Sequence, residues 1–156
     1  MKVALSALLL ASSLFAQAPG TVQPSVDLAP VGKIRIAPGE TRKVELDFRV
    51  KSPFHINSNR PKSNLLIPTT LKLVSPKPLE VAKIDYPAGE DQSFPFSPNE
   101  KLSVYSGDFT LYVLLKAPAH AQGGFHVGGE LYYQACDKNA CYPPKKTPVD
   151  FDVTVQ

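Results

Sequence analysis

Between Thr41 and Val50 the chain alternates, with Val44, Leu46, Phe48 and Val50 on one side and Lys43, Glu45, Asp47 and Arg49 on the other. A period of two with one apolar face predicts a half-buried β-strand. The pattern returns at Phe109, Leu111, Val113 and Leu115, set against Thr110, Tyr112 and Lys116; Leu114 interrupts the polar face and predicts burial on both sides. Phe125, Val127, Leu131 and Tyr133 form a third such strand. Val149, Phe151, Val153 and Val155, opposed by Asp150, Asp152 and Thr154, form a fourth. Shorter apolar pieces at 32–36, 54–57, 69–74, 79–84 and 102–105 predict lesser strands.

Sixteen prolines, scattered from Pro19 to Pro148, leave little room for long helices. Turn signals separate nearly all of the strands, among them Ala37-Pro38-Gly39-Glu40, Ser75-Pro76-Lys77-Pro78, Pro87-Ala88-Gly89-Glu90 and Gln122-Gly123-Gly124. Eight or so short strands at such spacing predict an all-β, single-domain antiparallel β-sandwich, with a barrel as the alternative topology. The interval 89–100 breaks the rhythm. It is polar and proline-punctuated, which predicts a loop rather than a strand, yet it carries Phe94 and Phe96. Two readings follow: the rings fold onto the sandwich edge, or they cover a reactive site.

Residues 1–18 combine Lys2, an apolar run from Val3 to Phe15, and small residues at Ala16 and Ala18. This predicts a secretory signal peptide, cut after Ala16 or Ala18. Residues 19–30 follow as a flexible lead-in, and 31–156 as the domain. No later segment approaches the roughly twenty apolar residues of a membrane helix, so the mature chain is expected to be exported, without a membrane span. Of 17 basic and 14 acidic residues, Lys2 leaves with the leader, so the net charge of +3 becomes +2. Arg42-Lys43 and Lys145-Lys146 read as solvated strand ends, and nucleic acid is not an expected partner.

The two cysteines, Cys136 and Cys141, lie five residues apart just after the third strand, which predicts a hairpin-like turn in which both sulfurs can meet. A bridge closing so short a ring removes only about 2 kcal/mol of chain entropy, against about 4 for a loop of some sixty residues. The pair is therefore poorly placed as a scaffold and well placed for thiol exchange, which needs a thiolate, access and a second sulfur nearby. Tyr133 and Tyr142 can wall the sulfurs, and Pro143 and Pro144 stiffen the exit. Lys138, Lys145 and Lys146 would favour a thiolate and Asp137 would oppose it. The rival readings are an inert disulfide in an exported protein-binding module and a metal site joining the cysteines to His55, His120 or His126. His126 alternates with core positions and is expected on the solvent face.

Tyr133-Gln134-Ala135-Cys136 followed by Cys141-Tyr142-Pro143-Pro144 resembles the active-site segment of the N-terminal periplasmic domain of thiol:disulfide interchange protein DsbD. Phe54-His55-Ile56-Asn57, Leu66-Ile67-Pro68-Thr69-Thr70-Leu71, Tyr86-Pro87 and Val104-Tyr105-Ser106-Gly107 extend the resemblance in the same order. The resemblance implies an immunoglobulin-like sandwich carrying a redox cysteine pair, hence a thiol-disulfide oxidoreductase without cofactor or metal. It implies that Cys141 forms mixed disulfides and Cys136 resolves them, under an aromatic cap matching the interval with Phe94 and Phe96. It also implies as partners a thioredoxin-like electron donor and periplasmic disulfide-bonded proteins, met by a monomer. The run between the cysteines is one residue shorter than in the best-known member. The sequence contains neither a membrane-embedded electron channel nor a Cys-x-x-Cys domain, so electrons are expected from another protein.

Overall fold

The computed structural model describes residues 23–156; the expected signal peptide lies outside them. The strands are β1 (Val26–Leu28), β2 (Ile34–Ile36), β3 (Thr41–Val50), β4 (His55–Asn57), β5 (Thr70–Val74), β6 (Glu80–Asp85), β7 (Glu90–Phe94), β8 (Ser97–Ser106), β9 (Asp108–Lys116), β10 (Gly123–Tyr133), β11 (Ala135–Cys136) and β12 (Lys145–Val155). No helix occurs among the described residues. Two four-stranded sheets, β1-β3-β9-β6 and β2-β12-β10-β5, form the sandwich. Every pairing is antiparallel except the parallel pair β2–β12.

The alternation read from the sequence sets the core. Val44, Leu46, Phe48 and Val50 of β3 meet Phe109, Leu111, Val113 and Leu115 of β9 on one inner face, and Val127, Leu131, Val149, Phe151 and Val153 fill the other. Leu114 is half-buried on the outer face rather than buried on both, because no layer covers that side; its cross-strand neighbours are Lys43 and Lys83. At Gly129, facing β5, a Cβ would run into the Lys72 carbonyl, so only glycine lets the two strands approach this closely.

Two expectations are corrected. The lead-in 19–30, expected to be flexible, contains β1, whose Val26 is buried; its amide donates to the Tyr133 hydroxyl at 3.2 Å and its carbonyl accepts from Thr147 Oγ1 at 2.6 Å. These partners lie more than a hundred residues away, beyond the reach of local pattern. The interval 89–100, read as a loop, is instead the hairpin of β7 and the start of β8, which extends well past the predicted 102–105. β7 is an edge strand defined by its backbone pairing with β8, so most of its side chains are free to be polar. Pro95 sits in the turn, where its missing donor is not needed.

A third sheet, β11-β4-β8-β7, is made of continuations of sandwich strands. β4 follows β3 after a short turn, β8 leads into β9 through Gly107 (φ 62°), and β11 prolongs β10 past Gln134. The functional residues gather on this extension.

Candidate functional site

The turn after β11 is organised by one carboxylate. Asp137 Oδ1 accepts the amides of Asn139 (2.7 Å) and Ala140 (2.9 Å), and Oδ2 accepts the Tyr142 hydroxyl at 2.7 Å. The tyrosine hydroxyl and then the two amides hold the Asp137 carboxyl below its usual range, and the same bond raises Tyr142. The Tyr142 amide donates to the Ala135 carbonyl at 2.8 Å, closing the turn. Gln134 ties it to the sheet: its Oε1 accepts from Asn57 Nδ2 at 3.2 Å and its Nε2 donates to the Tyr142 carbonyl at 3.3 Å.

This turn presents Cys136 and Cys141 to each other, and they form a disulfide with Cα atoms 3.9 Å apart. The two sulfurs differ in environment. Cys136 is fully buried, whereas Cys141 is partly exposed. Register places four residues in one row across the sheet: Cys141 opposite Cys136, Cys136 opposite His55, and His55 opposite Ser106. Directly opposed residues project to the same side. Their sequence neighbours Ala135, Ile56 and Tyr105 belong to the main core, so the row occupies the other face of the third sheet.

The β7–β8 hairpin covers that face. Phe94 stacks on the His55 ring with centroids 4.0 Å apart and planes 15° from parallel, and Phe96 stacks on Phe94 at 5.4 Å. Gln92 Nε2 reaches Ser106 Oγ at 3.3 Å, and Asp91 pairs with Lys62 at 2.6 Å, fixing the hairpin to the 58–69 loop. Phe94 is half-buried and Phe96 is exposed at the rim. His55 is 4% exposed, its Nε2 has no hydrogen-bond partner, and burial lowers it to about 4 while Asp137 pulls the other way.

The structure thus gathers Cys136, Cys141, Tyr142, Phe94 and Phe96 in one region. Tyr133 points elsewhere, into the core and against Val26, and so supports β1 rather than walling the sulfurs. Pro143 is exposed at the exit of the turn. Lys145 donates to the Pro24 carbonyl and Lys146 pairs with Glu130, so both amines are committed elsewhere. The histidines lie on three separate elements: His120 in the loop before β10, His126 on the outer face between Asp150 and Asp152, and His55 under the hairpin. Among the described residues no group of three metal-ligating side chains is assembled.

Sequence reasoning weighed His55 only as a metal ligand and missed it as the platform for Phe94; it also missed Gln134, Asn57 and Asp137 as the frame of the turn. The available signal was a polar residue inside the short apolar run 54–57 that becomes a wholly buried strand.

A family model described as thiol:disulfide interchange protein DsbD, N-terminal, matches residues 25–152. Similar solved structures include the reduced DsbD N-terminal domain of Neisseria meningitidis, 18% identical over 84% of each chain with a TM-score of 0.43. Another is a complex between the DsbD N-terminal and PilB N-terminal domains of the same organism, 20% identical over 69% of this chain and 73% of that one, TM-score 0.41. The seventh ScaB type I cohesin of Pseudobacteroides cellulosolvens is 16% identical over 84% of this chain and 92% of its own, TM-score 0.51, a likeness of fold alone. No curated protein sequence matches the chain.

Proposed function

Since the chain belongs to the family of the N-terminal domain of thiol:disulfide interchange protein DsbD, we propose that it is an exported thiol-disulfide exchange domain passing reducing equivalents to periplasmic proteins through Cys136 and Cys141. Its all-β sandwich is the immunoglobulin-like fold of that family. The observation that carries the proposal is the asymmetry of the pair: Cys141 is partly exposed, whereas Cys136 is buried. Exchange proceeds by attack of a thiolate on an accessible sulfur through a mixed disulfide. Cys141 is the sulfur a partner can meet, and Cys136 is the one shielded until the intermediate has formed.

In the reduced protein the Cys141 thiolate attacks a partner disulfide, giving a mixed disulfide and one partner thiol. The Cys136 sulfur then displaces the partner, restoring the internal disulfide and releasing the partner as a dithiol. A thioredoxin-like donor returns two electrons by the reverse sequence. The Phe94–Phe96 hairpin shields the row between encounters and moves aside for a docking partner.

The test is trapping. Replacing Cys136 with Ala removes the resolving thiol, so Cys141 is expected to accumulate dithiothreitol-sensitive adducts in a periplasmic extract. Absence of any such adduct, with the variant folded, rejects exchange and leaves the disulfide as a local staple.

A further inference from the structure

We propose that His55 is the proton acceptor for Cys136 in the resolving step, a role that rests on the exchange reading above. In the cross-sheet row His55 is directly opposite Cys136 on the same face, and Phe94 stacks on the His55 ring. Opposed side chains in an antiparallel pair have Cβ atoms only about 5 Å apart. Both residues are buried, and imidazole Nε2 is a polar atom without a partner while the sulfurs are joined. Burial of an unmatched polar atom is costly and uncommon. Reduction creates the missing partner, because the Cys136 thiol is a donor and the Nε2 lone pair of the Nδ1–H tautomer is an acceptor.

A buried thiol has a chemical difficulty that this arrangement answers. Only the thiolate attacks, and burial away from cations disfavours it. Bulk water cannot reach Cys136 readily to take the proton. Burial keeps His55 neutral over the ordinary pH range, which leaves its Nε2 lone pair free; the same burial makes it a weak base, so its protonation depends on the charge pair formed with the thiolate. The imidazolium that forms is held by the thiolate it faces. Among charged groups, Asp137 in the loop after β11 also favours it. The cap hairpin presents Phe94 to the ring; the charged residues of β7 are engaged elsewhere, Glu90 with Gln92 and Asp91 with Lys62, and Glu100 and Lys101 of β8 are exposed. From β8, the opposing residue is the neutral Ser106.

The step balances. The proton passes from Cys136 Sγ to His55 Nε2, the sulfur lone pair forms the bond to Cys141 Sγ, and the bond from Cys141 to the partner sulfur breaks. The partner thiolate leaves with the electron pair and takes up the proton that His55 releases. No further oxidant or reductant enters.

The reduced protein mixed with excess 5,5′-dithiobis(2-nitrobenzoate) tests this, because each of the two steps releases one coloured thiolate whose departure needs no proton. The first, bimolecular release reports Cys141; the second, unimolecular release reports resolution by Cys136. With His55 as acceptor, the second rate in the wild-type protein changes by less than about threefold between pH 5.5 and 7.5, whereas attack by free thiolate falls roughly tenfold per pH unit below the thiol pKa. His55→Gln keeps a polar side chain and His55→Phe keeps a ring under Phe94, and neither can take the proton. In each, the second rate is expected to regain the tenfold-per-unit slope and to lie at least tenfold below wild type at pH 6.

A wild-type second phase that itself falls tenfold per unit overturns the proposal without any variant, so it remains decidable if a substitution prevents folding. Folded variants that retain a flat profile overturn it as well. Both outcomes leave exchange intact. If the native wild-type protein releases no thiolate until it is unfolded, the exchange reading fails, and the role of His55 with it.

Discussion

The hairpin cover of the row makes a quantitative prediction at Phe94. In a Cys141→Ser background the single thiol is Cys136, which has no exposed surface, so alkylation requires the hairpin to open. Phe94→Ala removes the ring stacked on His55 and on Phe96. Half-burial of a phenylalanine is worth about 1 kcal/mol, and an aromatic pair adds about 0.5–1.5. The Lys62–Asp91 ion pair and the β7–β8 ladder remain, the former contributing about 0–1 kcal/mol at its exposure. Losing about 2 kcal/mol of closure raises the open population roughly thirtyfold. If opening is rapid relative to chemistry, alkylation by a small haloacetamide at pH 8.5 accelerates by the same factor. Phe96→Ala leaves the Phe94–His55 stack in place and is expected to accelerate alkylation less than Phe94→Ala does. The rate is measured by mass spectrometry of quenched samples against reagent concentration. An unchanged rate in Phe94→Ala, together with a lowered unfolding midpoint showing that the ring had been packed, refutes the cover. A larger effect at Phe96 reassigns it to that ring.

Two further outcomes follow from packing and from the histidines. Gly129→Ala forces a Cβ against the Lys72 carbonyl and is expected to destabilise the protein by about 1–3 kcal/mol in urea unfolding; an unaltered midpoint contradicts the close approach of β5 and β10. By NMR titration His126 should protonate above its ordinary range, chiefly through its hydrogen bond to Asp152, and His55 only near about 4. The signs differ for stability. The His126 contribution is present below the unfolded pKa and fades as pH rises through the folded one. His55 binds its proton more weakly folded than unfolded, so stability falls by about 3 kcal/mol as pH drops from about 6.5 to about 4. A His55 titrating near 6.5 would remove that loss and would show that the ring is not shielded.

Period-two alternation made the sandwich legible because it reports which face of a strand meets the core. Val44 to Val50 and Val149 to Val155 needed no other information. It failed where pairing rather than burial of alternate residues defines the strand. β7 has no apolar face to display, and β1 is three residues ordered by its ladder with β3 and by the bonds to Tyr133 and Thr147. At the site, the cysteines and the aromatic interval were visible as unusual chemistry, and the family resemblance joined them. The row itself was not visible, since setting Cys136 opposite His55 requires the register of β4 on β11, a pairing across some eighty residues. Tyr133 shows the reverse error, as adjacency in sequence to Cys136 suggested a wall while alternation turned its ring into the core.

The turn that holds the cysteines is also built to outlast their bond. Six hydrogen bonds define it without the sulfurs: Asp137 Oδ1 to the amides of Asn139 and Ala140, Tyr142 hydroxyl to Asp137 Oδ2, the Asp137 amide to the Ala140 carbonyl, the Tyr142 amide to the Ala135 carbonyl, and Gln134 Nε2 to the Tyr142 carbonyl. None of these bonds involves a sulfur, and the bond from the Tyr142 amide to the Ala135 carbonyl keeps the two cysteine backbones paired. Breaking the disulfide therefore leaves the two thiols facing each other at nearly their bridged separation. A staple would be wasted on such a turn, whereas an exchange pair depends on it, because the resolving thiol must already be at hand when the mixed disulfide forms.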